Sequence, residues 1–210
     1  MSVVRDAFAI LRKSRRPYIL LNLMYYGLVI CGMIYAAFDR SVQQTLMDAV
    51  GAAFLEGPLA GVAEAYTSGQ LLLAIVLTLV VNLAAGSFVS ITLPSLFVPF
   101  SGLLVGGLRA VLWGLIFSPT TLAVSSREVV YGVLALGLLL LEGQGYVLAM
   151  LAAVVQGQAF LWPASVGATS RKQGYLMGLK RTAFLYLLVV LVLAVAAVYE
   201  AVLAIVILPG

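Results

Sequence analysis

The sequence predicts an all-α polytopic membrane protein, with about five transmembrane helices and amphipathic helices at the interface. Three observations predict it. Of the 210 residues, 63% are hydrophobic and only 10% are charged, against roughly half and a quarter in a soluble domain. Too little polar surface remains to cover a water-facing globule, so hydrocarbon is the solvent for most of the chain. The apolar residues also gather into runs of membrane-crossing length, and most charges sit at the ends of those runs. Residues 1–210 read as a single membrane domain.

At the start, Val3, Val4, Ala7, Phe8 and Leu11 recur at helical spacing, with Arg5, Asp6, Arg12 and Lys13 on other faces. Residues 1–16 therefore predict a cytoplasmic amphipathic helix lying in the interface. Arg15 and Arg16 are expected to stop it at the membrane edge. This start does not read as a cleavable signal, because it carries an acid and a basic tract and no small-residue cleavage site.

The first span is predicted over 18–38, about the 20 residues a crossing helix needs. Asp39-Arg40 ends it. In the segment 41–69, Val42, Leu46, Val50 and Phe54 recur about every fourth residue. That pattern predicts an external interfacial helix, broken at Gly57-Pro58. From Leu71 no charge occurs until Arg109. The run is too long for one span, so it is expected to turn near Pro94, giving spans at 71–92 and 95–117. Ser118-Pro119 closes the third span and "SPTTLAVSSRE" reads as a loop.

The next apolar run, 129–163, would be roughly 50 Å long as one helix, against a core of about 30 Å. It is expected to break at Glu142-Gly143-Gln144-Gly145, with Gly143 and Gly145 supplying the bend. Residues 164–181 read as a basic loop, and the last span as 182–208. With the N-terminus inside, nine of the twelve cations fall on the inner side: Arg5, Arg12, Lys13, Arg15, Arg16, Arg171, Lys172, Lys180 and Arg181. Arg40 and Arg127 fall outside. The bias predicts an N-terminus inside and, after five crossings, a C-terminus outside.

Catalytic chemistry has few candidates. The chain has no histidine and one cysteine, Cys31, which removes the commonest general base and any thiolate metal cluster. Nothing resembles a nucleophile triad, a phosphate loop or a nucleic-acid face, and no metal or cofactor is implied. The basic residues flank spans, where orientation and anionic lipid account for them.

Three charges fall inside spans: Arg109, Glu142 and Glu200. Charges at that depth usually face protein or a cavity and find partners. Helix counting places Arg109 and Glu142 close enough in depth to pair, with Asn82 and Gln144 adding hydrogen bonds. Such a pair fixes helix register or forms a working site; both readings stay open. Glu200, near the outer end of its span, reads as reaching toward headgroups. Gly102-x-x-x-Gly106, followed by Gly107, permits close helix approach within the fold or between copies. Tyr25, Tyr26, Trp113 and Trp162 read as interface anchors or packing. The interruptions at 86–102 and 142–145 are open to two readings as well: a kink and an ordinary turn, or half-helices like those of small transporters.

Several short motifs together resemble the stage II sporulation protein M family. They are an apolar span with Asn82, "SGLLVGG" entering the next span, the glutamate in "LLLLEGQGY", and "AVAAVYEA" in the last span. The order of basic start, first span and acidic outer segment is also similar. By that resemblance, Asn82, Gly102, Gly106, Glu142 and Glu200 fall on the family's recurrent positions. Ser101-Gly102 stands where the family often has Asn-Gly, and Leu138-Leu139 where it often has His-Gly. The resemblance implies a non-enzymatic scaffold of the prokaryotic cell membrane that gathers other membrane proteins. The partners expected are the lipid bilayer, other membrane proteins and further copies of this chain. The alternatives are a small transporter or channel built on Glu142 and Arg109, and a membrane subunit of a larger export system.

Overall fold

The computed structural model describes residues 3–118 and 126–207, and among these there is helix and no strand. The chain begins with α1 (Val3–Lys13) and α2 (Arg15–Phe38). Arg15 and Arg16 open α2 rather than stop α1, and hydrogen bonding continues through Ser14, whose amide donates to the Ile10 carbonyl. Two helices follow at an angle of 81°, α3 (Arg40–Leu55) and α4 (Ala60–Thr67). The Gly57-Pro58 break falls between them, as the sequence predicts.

The next helix runs from Leu71 to Phe97 in three parts: α5 (Leu71–Val80), a π-helical segment Val81–Thr92, and α6 (Leu93–Phe97). The turn expected at Pro94 lies later, at Val98–Phe100. Pro94 sits in the first turn of α6, where a missing N–H is tolerated. In the π-helical turns the amide-to-carbonyl register lengthens by one residue, as in the Leu93 amide donating to the Phe88 carbonyl. Ser87, Ser90 and Ser95 each donate a hydroxyl to the carbonyl four residues earlier. In hydrocarbon those back-bonds supply partners that water would supply elsewhere.

At the reversal, Phe100 takes a left-handed backbone (φ 69°), which is costly for a bulky residue. Its ring seats against Gly157 and stacks on Trp162 at 6.2 Å, which offsets that cost. Helix α7 (Ser101–Ile116) then starts on the Ser95 hydroxyl, which accepts from the Gly102 amide at 2.7 Å.

The helix α8 (Ser126–Leu161) is continuous. The break expected at Glu142–Gly145 is absent, because Gly143 and Gly145 bring neighbours close instead of bending the chain. A Cβ on Gly143 would meet the Tyr26 hydroxyl at 2.8 Å, and one on Gly145 would press into the Leu193 side chain. The length excess is resolved by making α8 central. Its apolar window is 78% buried, against 22–28% for the other long helices. Leu139, Tyr146, Val147, Met150 and Leu151 form the middle of the hydrophobic core.

The last helix, α9 (Arg171–Val202), continues in π form to Ile207. It starts eleven residues earlier than predicted, because Ser170 caps it by accepting from the Gln173 amide at 3.2 Å. Arg171, Lys172, Lys180 and Arg181 therefore stand on a helix, not in a loop. Among the described residues, four helices are long and apolar enough to cross a membrane, and α7 is a shorter apolar helix. The loop expected after Ser118 (residues 119–125), the side chain of Arg127 and Leu208 lie outside the described residues.

Candidate functional site

Buried and half-buried polar side chains form three clusters, two of them on α8, and Glu142 belongs to the first. Glu142 is 7% exposed. It sits one turn before Tyr146, so both side chains leave α8 on one face. Asn82, on the first π-helical turn, donates Nδ2 to Glu142 Oε1 at 2.6 Å. The Tyr146 hydroxyl donates to Asn82 Oδ1 at 3.0 Å. Arg109 of α7 donates Nη2 to the Tyr146 hydroxyl at 2.8 Å. Its guanidinium carbon lies 4.0 Å from the Tyr146 ring centroid, a cation–π contact.

Arg109 and Glu142 are thus joined by a relay, not by the direct pair expected. Each donor points the same way along the chain, from guanidinium to phenol to amide to carboxylate. Such a chain is polarised by the charges at its ends. Gly86 makes room for it: a Cβ there would meet Arg109 Nη2 and the Tyr146 hydroxyl at 3.2 Å.

Gln144 belongs to a different cluster. It faces α2, accepting from the Tyr18 hydroxyl at 2.6 Å and donating to Asn22 Oδ1 at 2.6 Å and to the Tyr26 hydroxyl at 2.9 Å. Tyr26 in turn donates to the Leu140 carbonyl. Every hydrogen-bonding end of the Gln144 amide is engaged with α2, so this cluster ties α2 to α8.

The third cluster is formed by α4, α5 and α9. The Tyr66 hydroxyl and Thr78 Oγ1 are 2.9 Å apart. Glu200 is half-buried, interacts with the Tyr66 hydroxyl and lies within electrostatic range of Glu142. Its interactions are with Tyr66 of α4 and Glu142 of α8.

The glycines singled out in the sequence sit at tight contacts. Gly102 lies against the Ile91 carbonyl and the Ser95 hydroxyl, Gly106 against the Met150 thioether, and a Cβ on Gly107 would meet Leu28 at 3.3 Å. Another close backbone approach was not legible in that motif: Gly32 of α2 and Gly114 of α7 stack backbone on backbone.

Asn82, Arg109 and Glu142, which sequence reasoning grouped, meet in the relay, whereas Gln144, grouped with them, bonds to α2. That reasoning missed Tyr146, Tyr66, Thr78, Tyr18, Asn22 and Gly86. The signal for Tyr146 was present, since it lies four residues after Glu142. Among the described residues no group of three His, Cys, Asp or Glu is placed to hold a metal. No family model matches the chain, and no curated protein or solved structure matches it.

Proposed function

We propose that this chain is a non-enzymatic scaffold of the prokaryotic cell membrane, crossing five times with its N-terminus inside and its C-terminus outside. The observation that carries the reading is the direction of the intramembrane hydrogen bonds. Arg109, Tyr146, Asn82 and Glu142 bond to one another, and Gln144 bonds to α2. Polar groups engaged in this way lock helix positions. The resemblance to the stage II sporulation protein M family supports the same reading, and so does the exposed face of α3, where Met47, Val50 and Leu55 are open to other proteins.

The test is affinity purification from native membranes in mild detergent, with the mass of the intact complex. A stoichiometric second protein is expected. Liposomes loaded with ions or small solutes should show no flux above protein-free controls. A second reading, a small transporter, is favoured by the π-helical segment beside Glu142, since π-helical turns often mark functional sites. Flux that disappears in Glu142→Gln would establish that reading in place of the scaffold.

A further inference from the structure

A cavity of about 280 Å³ opens between α1 and α9, lined by Asp6, Ala9 and Ile10 on one side and Met177, Lys180, Arg181 and Phe184 on the other. Its position along α9 is defined by charge. From Arg181 to Glu200 the helix carries no charged residue, whereas Arg171, Lys172, Lys180 and Arg181 precede that stretch. Lys180 and Arg181 therefore stand where hydrocarbon gives way to headgroups.

Below them lies the cationic end of the molecule. Above them an apolar track continues on the Lys180 face of α9. Phe184 lies one turn on, followed by Leu187, Leu191 and Val195, which are 42%, 58% and 49% exposed. The spacing of three and four residues keeps this track on one face. The Lys180 ammonium lies 6.0 Å from the Phe184 ring centroid, so charge and apolar track meet at one place.

We infer that this cavity is a binding site for an anionic phospholipid whose headgroup carries hydroxyls, as in phosphatidylglycerol. Lys180 and Arg181 hold the phosphodiester. Asp6, on the opposite wall, accepts from a headgroup hydroxyl. An acyl chain runs along Phe184, Leu187 and Leu191. The charges balance: two cations and one carboxylate leave one positive charge, which a phosphodiester neutralises. A zwitterionic lipid would leave that charge in place. The proposal does not depend on the scaffold reading, since either a scaffold or a transporter could hold such a lipid.

The test is native mass spectrometry of the detergent-purified protein titrated with phosphatidylglycerol, phosphatidylcholine or inorganic phosphate. One equivalent of phosphatidylglycerol is expected at concentrations where the other two do not bind. Lys180→Gln with Arg181→Gln should weaken it roughly thirtyfold, about fivefold per lost cation. Arg15→Gln with Arg16→Gln removes two cations outside the cavity and should leave it nearly unchanged. If the double substitution unfolds the protein, Lys180→Gln at an exposed position gives the fivefold effect alone. Equal losses in both pairs, equal binding of phosphatidylcholine, or equal binding of free phosphate would each overturn the site.

Discussion

Tyr146 is the residue on which the relay depends, because it accepts from Arg109 and donates to Asn82. A hydrogen bond in a membrane bundle contributes on average about 0.6 kcal/mol. Tyr146→Phe removes two and leaves a buried guanidinium N–H unpaired, so its expected cost is about 1–3 kcal/mol. Thermal unfolding in detergent measures it. If the relay is one unit, adding Asn82→Ala to Tyr146→Phe costs less than Asn82→Ala alone, and strictly additive losses would show separate contacts. At the other extreme of exposure, Asp39 caps α3. Its carboxylate accepts from the Ser41 hydroxyl at 2.6 Å and the Ser41 amide at 3.1 Å. The Ser41 hydroxyl bond first, then the amide bond, hold the Asp39 carboxyl below its ordinary range. A lowered folded-state value means the cap is present above the ordinary carboxylate range and is lost as pH falls through the lowered value. The protection factor of the Ser41 amide should fall with pH there, and in Asp39→Asn it should not respond to pH.

Between elements, small residues do what polar residues do within the relay. A Cβ on Gly114 would strike the Val29 carbonyl, and one on Gly32 would strike the Val111 carbonyl. Both obstacles are backbone, which cannot rotate aside, so Gly114→Ala is expected to cost about 1–3 kcal/mol by separating α2 from α7. Gly27, on the same helix α2, has nothing within 4 Å of the place a Cβ would take. Gly27→Ala should leave the melting temperature unchanged, and parallel melts of the two variants check the contrast. A Gly114→Ala protein as stable as the parent would mean that the two helices do not need this approach. The same physics explains what the sequence conveyed and what it concealed. The all-helical class was legible, and so were the apolar runs that the four long helices occupy, because charge and apolar runs alternate at membrane spacing. The α8 break was misread because glycines next to a glutamate look like a bend. Only the neighbours, Tyr25, Tyr26 and Leu193, reveal that these glycines are contact surfaces. The early start of α9 was missed because four cations suggested a loop, while the signal for a helix was a single capping serine. The π-helical turns leave no pattern beyond serines spaced to back-bond.

At the scale of the whole molecule, the question is which ends face which side, and α7 decides the count of crossings. Its 16 residues span about 24 Å, short of a core of about 30 Å. Yet its two ends are tied to opposite ends of the bundle. At its start Phe100 stacks on Trp162, next to the turn leading into α9. Just past its end, the Ser118 hydroxyl donates to the Met33 carbonyl, and Gln43 of α3 donates to the Ser118 carbonyl at 2.9 Å. So α7 runs the length between the α8–α9 turn and the α3 platform, and it does so parallel to α2, whose glycine it meets. On the proposed five passes, α3–α4 and the end of α9 lie on one side, and α1, the 98–100 turn and the α8–α9 turn on the other. The proposed topology puts that second side, with the cations of α1 and early α9, in the cytoplasm. Single cysteines at Ala49 and Ser165, both exposed, read this out in a Cys31→Ser background. In intact cells a membrane-impermeant maleimide should label Ala49→Cys and not Ser165→Cys, and after lysis it should label both. Labelling of Ser165→Cys before lysis would invert the topology. Labelling of both before lysis would mean that α7 and its partners do not complete the fifth crossing.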